Sequence, residues 1–202
     1  MILITETNFV LELAFRQDEV RECDRLVELA VDGTLELAVP ACSLFEPYET
    51  LVRRSKARDS LLEAFKHEVN ELARSEFYVE LPRTAEEIVK PISGSSNVYE
   101  NSLREALLSI VRVATIIPLS SEVMNKALEF QEGGWISPQD SVVLASVFFF
   151  VRDRAGDPKL FANTNMKDFV RPDVATHFRQ YNCKLLNSFT AARHLAERVL
   201  QG

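Results

Sequence analysis

Cysteine is scarce in this chain, and what there is forms no pattern. Cys23, Cys42 and Cys183 are widely separated and belong to no CxxC or Cys/His arrangement. That argues against a patterned zinc site and a disulfide framework, and it implies reduced thiols in a cytoplasmic protein. Long apolar runs are missing too: the longest, residues 142–151, contains Ser146 and falls far short of the ~20 residues that span a bilayer. The opening has no basic segment and meets a carboxylate at Glu6, which does not suit a signal peptide. The expected setting is cytoplasmic, with no membrane contact. Positive charge is in deficit, with 23 Lys and Arg against 30 Asp and Glu, a net charge of -7. A chain this acidic is no bulk electrostatic nucleic-acid binder, so any such contact needs a local basic patch.

What is present suits a folded α/β protein. With 47% hydrophobic residues over 202 positions, the chain can bury a full core as one domain carrying an insertion. Its opening, Ile2-Leu3-Ile4 followed by Glu6-Thr7-Asn8, reads as a short buried strand turning into a helix, with Thr7 or Asn8 as N-cap. Further strands are expected at 35–39, 115–119, 159–162 and 183–186, with helical patterns between them. This alternation predicts a three-layer α/β/α sandwich around a mostly parallel five-stranded sheet. Residues 41 to about 75 read as one long helix with Pro47 near its start. Thr84-Ala85-Glu86-Glu87 predicts a short helix ending near Pro91, and Ser93-Gly94-Ser95-Ser96-Asn97 predicts a loop. Residues from about 55 to 113 thus form a helical elaboration on a single domain spanning 1–202.

Ser137-Pro138-Gln139-Asp140 is a strong helix start, with Ser137 as N-cap, Pro138 at the first position and Asp140 at the third. The helix is apolar nearly all round through Phe148-Phe149-Phe150, which marks core rather than a base-stacking platform. Four oxygen-bearing side chains then fall at comparable places. Glu6 follows the first strand, Glu46 lies early in the helix after the second, Asp140 opens a helix, and Asn165 follows the fourth strand. In a parallel sheet the carboxyl ends of the strands share one edge, so these residues can converge. None of the three histidines lies in these stretches, and an all-oxygen set selects Mg²⁺ or Mn²⁺ over zinc or copper. Two of the acids also have a plainer use. Glu6 suits the positive end of the helix behind it, and Asp140 can be the reciprocal member of a capping box.

Taken in order, these stretches resemble the PIN-domain nucleases. The resemblance rests on Glu6-Thr7-Asn8 after the opening strand, where the family usually has Asp-Thr-Asn, and on Val39-Pro40-Ala41 leading to Glu46. It rests also on Ser137-Pro138-Gln139-Asp140 before Val142-Val143-Leu144-Ala145-Ser146, and on Asn163-Thr164-Asn165 leading to Lys167-Asp168-Phe169. It leaves roughly residues 55–113 unmatched. It implies a divalent-metal-dependent ribonuclease that hydrolyses RNA phosphodiester bonds. Glu6, Glu46 and Asp140 would hold one or two Mg²⁺ or Mn²⁺ ions and Asn165 would be a weaker ligand, these four being the implied catalytic residues. Asn8 and Asn163 would hydrogen-bond the acids and fix them. Arg53, seven residues beyond Glu46 and so on its helix face, is a candidate RNA contact with Arg54 and Lys167. The plainer reading of the basic group, which includes Lys56 and Arg58, is a solvated helix surface. Many small PIN proteins are toxins of bacterial toxin–antitoxin pairs, silenced by a small protein inserted near the acidic site. The implied partners are therefore an RNA substrate, an antitoxin-like inhibitory protein and a second copy in a homodimer. Asn165 stands where many members have Asp. The competing reading is a catalytically silent PIN-like module that binds RNA or a protein partner.

Overall fold

Five short apolar runs, each bounded by turn or cap residues, pair into one sheet: β1 (Ile2–Ile4), β2 (Glu36–Pro40), β3 (Thr115–Ile117), β4 (Lys159–Ala162) and β5 (Cys183–Leu186). The computed structural model describes residues 1–154, 156–165, 169 and 171–201, the side chains of 199–201 excepted. The strand order is β3-β2-β1-β4-β5. Every pairing is parallel, so the sheet is parallel throughout rather than mostly so. The helices are α1 (Thr7–Phe15), α2 (Val20–Val31), α3 (Ala41–Leu72), α4 (Leu81–Val113), α5 (Ser121–Glu132), α6 (Pro138–Asp153), α7 (Pro172–Gln180) and α8 (Phe189–Gln201). A single 3-10 turn, Glu76–Tyr78, separates α3 from α4. Among the described residues no helix is long and apolar enough to cross a membrane.

The chain divides into two compact units. Met1–Pro47 with Leu103–Gly202 make the first, and Tyr48–Ser102 the second. The first unit holds the sheet. Ile2, Ile4, Ala38, Ile117 and Phe161 pack on one face against Val143, Leu144, Val147 and Val151 of α6 and Val174 and Phe178 of α7. Full burial of each such Leu, Ile or Phe is worth about 2 kcal/mol. The two-residue period of a strand turns Leu3 and Leu37 to the opposite face, where both are fully buried. Phe9 of α1 meets Phe189 of α8 edge-on at 5.3 Å, and α8 packs on β4 and β5. The Glu19 carboxylate anchors that helix by accepting from the Phe189 and Thr190 backbone N–H groups at 3.2 and 3.0 Å. An acid suits the positive end of a helix.

The second unit is helical. Leu51, Leu62, Val69 and Ala85 are its buried apolar residues, and within it Ser55 and Ser96 hydroxyls meet at 2.9 Å. Residues 93–97, expected as a loop after a helix ending near Pro91, lie instead inside α4. The local signals misled for a physical reason. Ser93 and Ser95 turn their hydroxyls back onto the helix, donating to the carbonyls of Lys90 and Ile92 at 3.1 and 2.7 Å. A hydroxyl satisfied in this way no longer draws the backbone into a turn. The Arg58 guanidinium lies over the Tyr99 ring at 4.9 Å, a further contact that holds this length of α4 in place.

Candidate functional site

The strand order places β1 at the centre. The chain runs outward to β2 and β3 on one side, then crosses to β4 and β5 on the other. The direction of winding reverses between β1 and β4, and in open parallel sheets ligands bind in the crevice beyond the carboxyl ends at such a reversal. Glu6, Thr7 and Asn8 leave β1 here, and Asn163 leaves β4 beside them. Asn8 Nδ2 donates to Asn163 Oδ1 across the reversal at 3.4 Å. The same Oδ1 accepts the Asn165 backbone N–H at 2.7 Å. Asn163 is only 1% exposed, so it locks the two strand ends together and shapes the turn that carries Asn165.

Glu6 does two things. It is itself the N-cap of α1, with Oε1 accepting the Asn8 backbone N–H at 3.1 Å. The cap is thus one or two residues earlier than the expected Thr7 or Asn8. An extended Glu6 reaches further to accept an N–H than Ser or Asn does, and its burial leaves no competing water. Because it continues the side-chain alternation of Ile2 and Ile4, it extends beyond the core face shared with α6. Asp140 stands at the start of α6, one turn before Val143 and Leu144.

Asp140 is held by its own cap. Ser137 Oγ accepts the Asp140 backbone N–H at 3.1 Å and donates to Asp140 Oδ2 at 2.6 Å. The expected cap, with Pro138 at the first helical position, is therefore present. Glu46 sits on α3 one turn beyond Cys42, whose side chain packs against the same core face. Thr7 Oγ1 donates to Glu46 Oε2. That contact joins the turn after β1 to the helix after β2, and sequence reasoning, which saw Thr7 only as a helix cap, missed it.

Two of the acids act on the third. The Glu6 carboxyl is pushed up from its ordinary 4.5 to about 8. Burial is the largest cause, Glu46 and Asp140 add to it, and the Asn8 hydrogen bonds only partly offset the rise. Glu6 therefore carries a proton at neutral pH. Glu46 and Asp140 are partly exposed, Asn165 is exposed, and Glu6 is 6% exposed. Two fully buried hydroxyls nearby in sequence, Thr5 Oγ1 and Ser43 Oγ, have no hydrogen-bond partner among the described residues.

The donor chemistry suits a hard divalent cation, since it is all oxygen and rich in carboxylate. The spacing is wider than an assembled coordination sphere: among the described residues no three His, Cys, Asp or Glu side chains are grouped to hold one ion. Arg53 and Arg54 belong to the second unit, the first exposed and the second partly buried. Lys167 and Asp168 lie outside the described residues. No protein-family model, curated protein or solved structure matches the chain.

Proposed function

We propose that the chain is a divalent-metal-dependent ribonuclease with a PIN-like three-layer α/β/α fold. The observation that carries this reading is the electrostatic meeting of Glu6, Glu46 and Asp140 at the carboxyl edge of a parallel sheet, where its winding reverses. Two acids from distant stretches that raise the cost of ionising a third, buried one stabilise no fold. Such a raised carboxyl beside further acids is typical of a site that works on a cation. Glu6, Glu46 and Asp140 would hold Mg²⁺ or Mn²⁺, with Asn165 as a neutral oxygen donor. The ion would polarise a phosphoryl oxygen and ease ionisation of a water at neutral pH. The protein's own part is positioning: Ser137 fixes Asp140, Thr7 fixes Glu46, and Asn163 ties the Asn8 and Asn165 turns together.

The test is cleavage of mixed single-stranded RNA with Mn²⁺, Mg²⁺ or EDTA. Cleavage should need the metal. Asp140→Asn should lower it at least about a hundredfold while leaving the melting temperature unchanged, because Ser137 remains the N-cap and Asn keeps a side-chain oxygen to accept its hydroxyl. Full activity in that variant would overturn the reading.

The second reading, a silent PIN-like module that binds RNA or a protein, is favoured by the wide spacing of the acids. A melting temperature indifferent to millimolar Mn²⁺ would select it, since a ligand that binds only the folded state must stabilise it. For the toxin version, expression of the chain alone should slow a bacterial host. A silencing partner would present Arg or Lys to the three acids. Growth at the normal rate would remove the toxin version and leave a regulated nuclease.

A further inference from the structure

The amino edge of the same sheet carries a second feature that the acidic edge does not use. Lys159, the first residue of β4, is 1% exposed. Its Nζ donates to the carbonyls of Asp157 at 2.6 Å and Tyr181 at 3.0 Å. An ammonium has three donors, and among the described residues no carboxylate pairs with this one. Burying a cation without a counter-charge is costly. Tyr181 is the C-cap of α7, so the helix end offsets roughly half a charge. The remainder is unbalanced.

Lys159 lines a cavity of about 470 Å³ with Arg179 of α7 and Lys184 of β5. Asn182 adds an amide to the wall, and Ala175 and Leu185, both partly exposed, make part of an apolar floor. Among the described residues the lining holds three cations and no Asp or Glu. In a chain with seven more acids than bases that is the reverse of the average surface. Arg179 and Lys184 are exposed, and among the described residues neither is in an ion pair. Three positive charges less about half a charge at the helix end leave the pocket with more than enough positive charge to balance a doubly charged phosphate group.

We infer that this cavity binds a small phosphate monoester, the phosphate held by the exposed Arg179 and Lys184 over the buried charge of Lys159 and the organic body resting on the Ala175 and Leu185 side. The volume is in the range of small-ligand pockets. The site stands apart from the acidic edge and does not depend on nuclease activity.

The test is calorimetric titration of the full chain with adenosine 5′-monophosphate and, separately, with inorganic phosphate. The monophosphate should bind the more tightly, because only it covers the apolar floor. Arg179→Glu and Lys184→Glu should each weaken it by about tenfold or more without shifting the melting temperature, since both residues are exposed. Lys159→Met removes the buried charge beside the cavity and should also weaken binding. That variant also frees two carbonyls and can destabilise the strand, which is why the two exposed positions decide the matter. Binding should weaken as salt rises. Absence of heat with both probes, equal affinity for the two, or affinity untouched by either charge reversal overturns the inference.

Discussion

At the carboxyl edge of the sheet a buried carboxyl, Glu6, faces two further acids; at the amino edge a buried ammonium, Lys159, faces two carbonyls. Both side chains leave water almost completely. Their surroundings differ in sign. Glu6 receives one backbone N–H but is repelled by Glu46 and Asp140, and it answers by holding its proton to about pH 8. Lys159 finds partial negative charge on two oxygens, one of them at a helix end. The lesson is that burial alone does not set the state of a charged group: the sign of what converges on it does. Acids converging on a buried carboxyl favour its proton, whereas carbonyl oxygens converging on a buried ammonium offset its charge.

The largest expected effect comes from breaking the repulsion at Glu6. A carboxyl raised from 4.5 to about 8 stabilises the fold fully only below 4.5, and that stability drains away as pH climbs through 8. The loss is about 1.4 kcal/mol per pH unit across that window, on the order of 5 kcal/mol in all. Glu6→Gln removes the titration and keeps a carbonyl to cap α1. Urea unfolding at a series of pH values should therefore show the variant more stable than the parent at pH 8 to 9, with the gap closing towards pH 4.5. Parallel stability profiles would mean that Glu6 ionises freely.

The next effect tests the same proton against metal. A cation entering the acid set must displace the Glu6 proton, so at pH 6.5 binding of Mn²⁺ should release about one proton. Apparent affinity should rise about tenfold per pH unit and level off above 8. Calorimetry in two buffers of different ionisation heat measures the release directly; a buffer-independent heat would break the link between the acids and the ion.

A smaller effect is expected at Thr7. Thr7→Val keeps the shape but deletes the O–H donated to Glu46. RNA cleavage should fall roughly tenfold, as when a group orienting a ligand is lost, for about 1 kcal/mol of stability. Unchanged cleavage at that modest stability cost would leave the contact a purely structural tie between α1 and α3.

The smallest change is at Asn165, which is exposed and held through its backbone N–H rather than packed into the acid set. Asn165→Asp adds a charged oxygen and should tighten Mn²⁺ by a few-fold. Equal affinities in the two forms would remove Asn165 from the ligand set, because Asp forms the same turn equally well.

Much of the fold was legible in the residues themselves. The fourth and fifth strands occupy the residues read from the sequence, because each is a short apolar run between strong breakers. The start of α6 was equally clear, since Ser137, Pro138 and Asp140 each act within one turn. Residues 93–97 were not legible. Their serines and glycine favour a loop locally, and the hydroxyls back-bonded into α4 override that preference.

For the sites the division is similar but sharper. Chain order alone put Glu6, Glu46 and Asp140 at the ends of strands or the starts of helices, because secondary structure follows from neighbours a few residues apart. The strand order, the hydrogen bond from Asn8 to Asn163 and the proton on Glu6 depend on segments more than thirty residues apart meeting in space. The cavity at Lys159 is of that second kind. In the sequence Lys159 is one polar residue at the head of a strand, and only the packing of β4, β5 and α7 buries its charge beside two more cations. Short-range propensity decides elements, whereas charge balance is a long-range sum that exists only once the chain is folded.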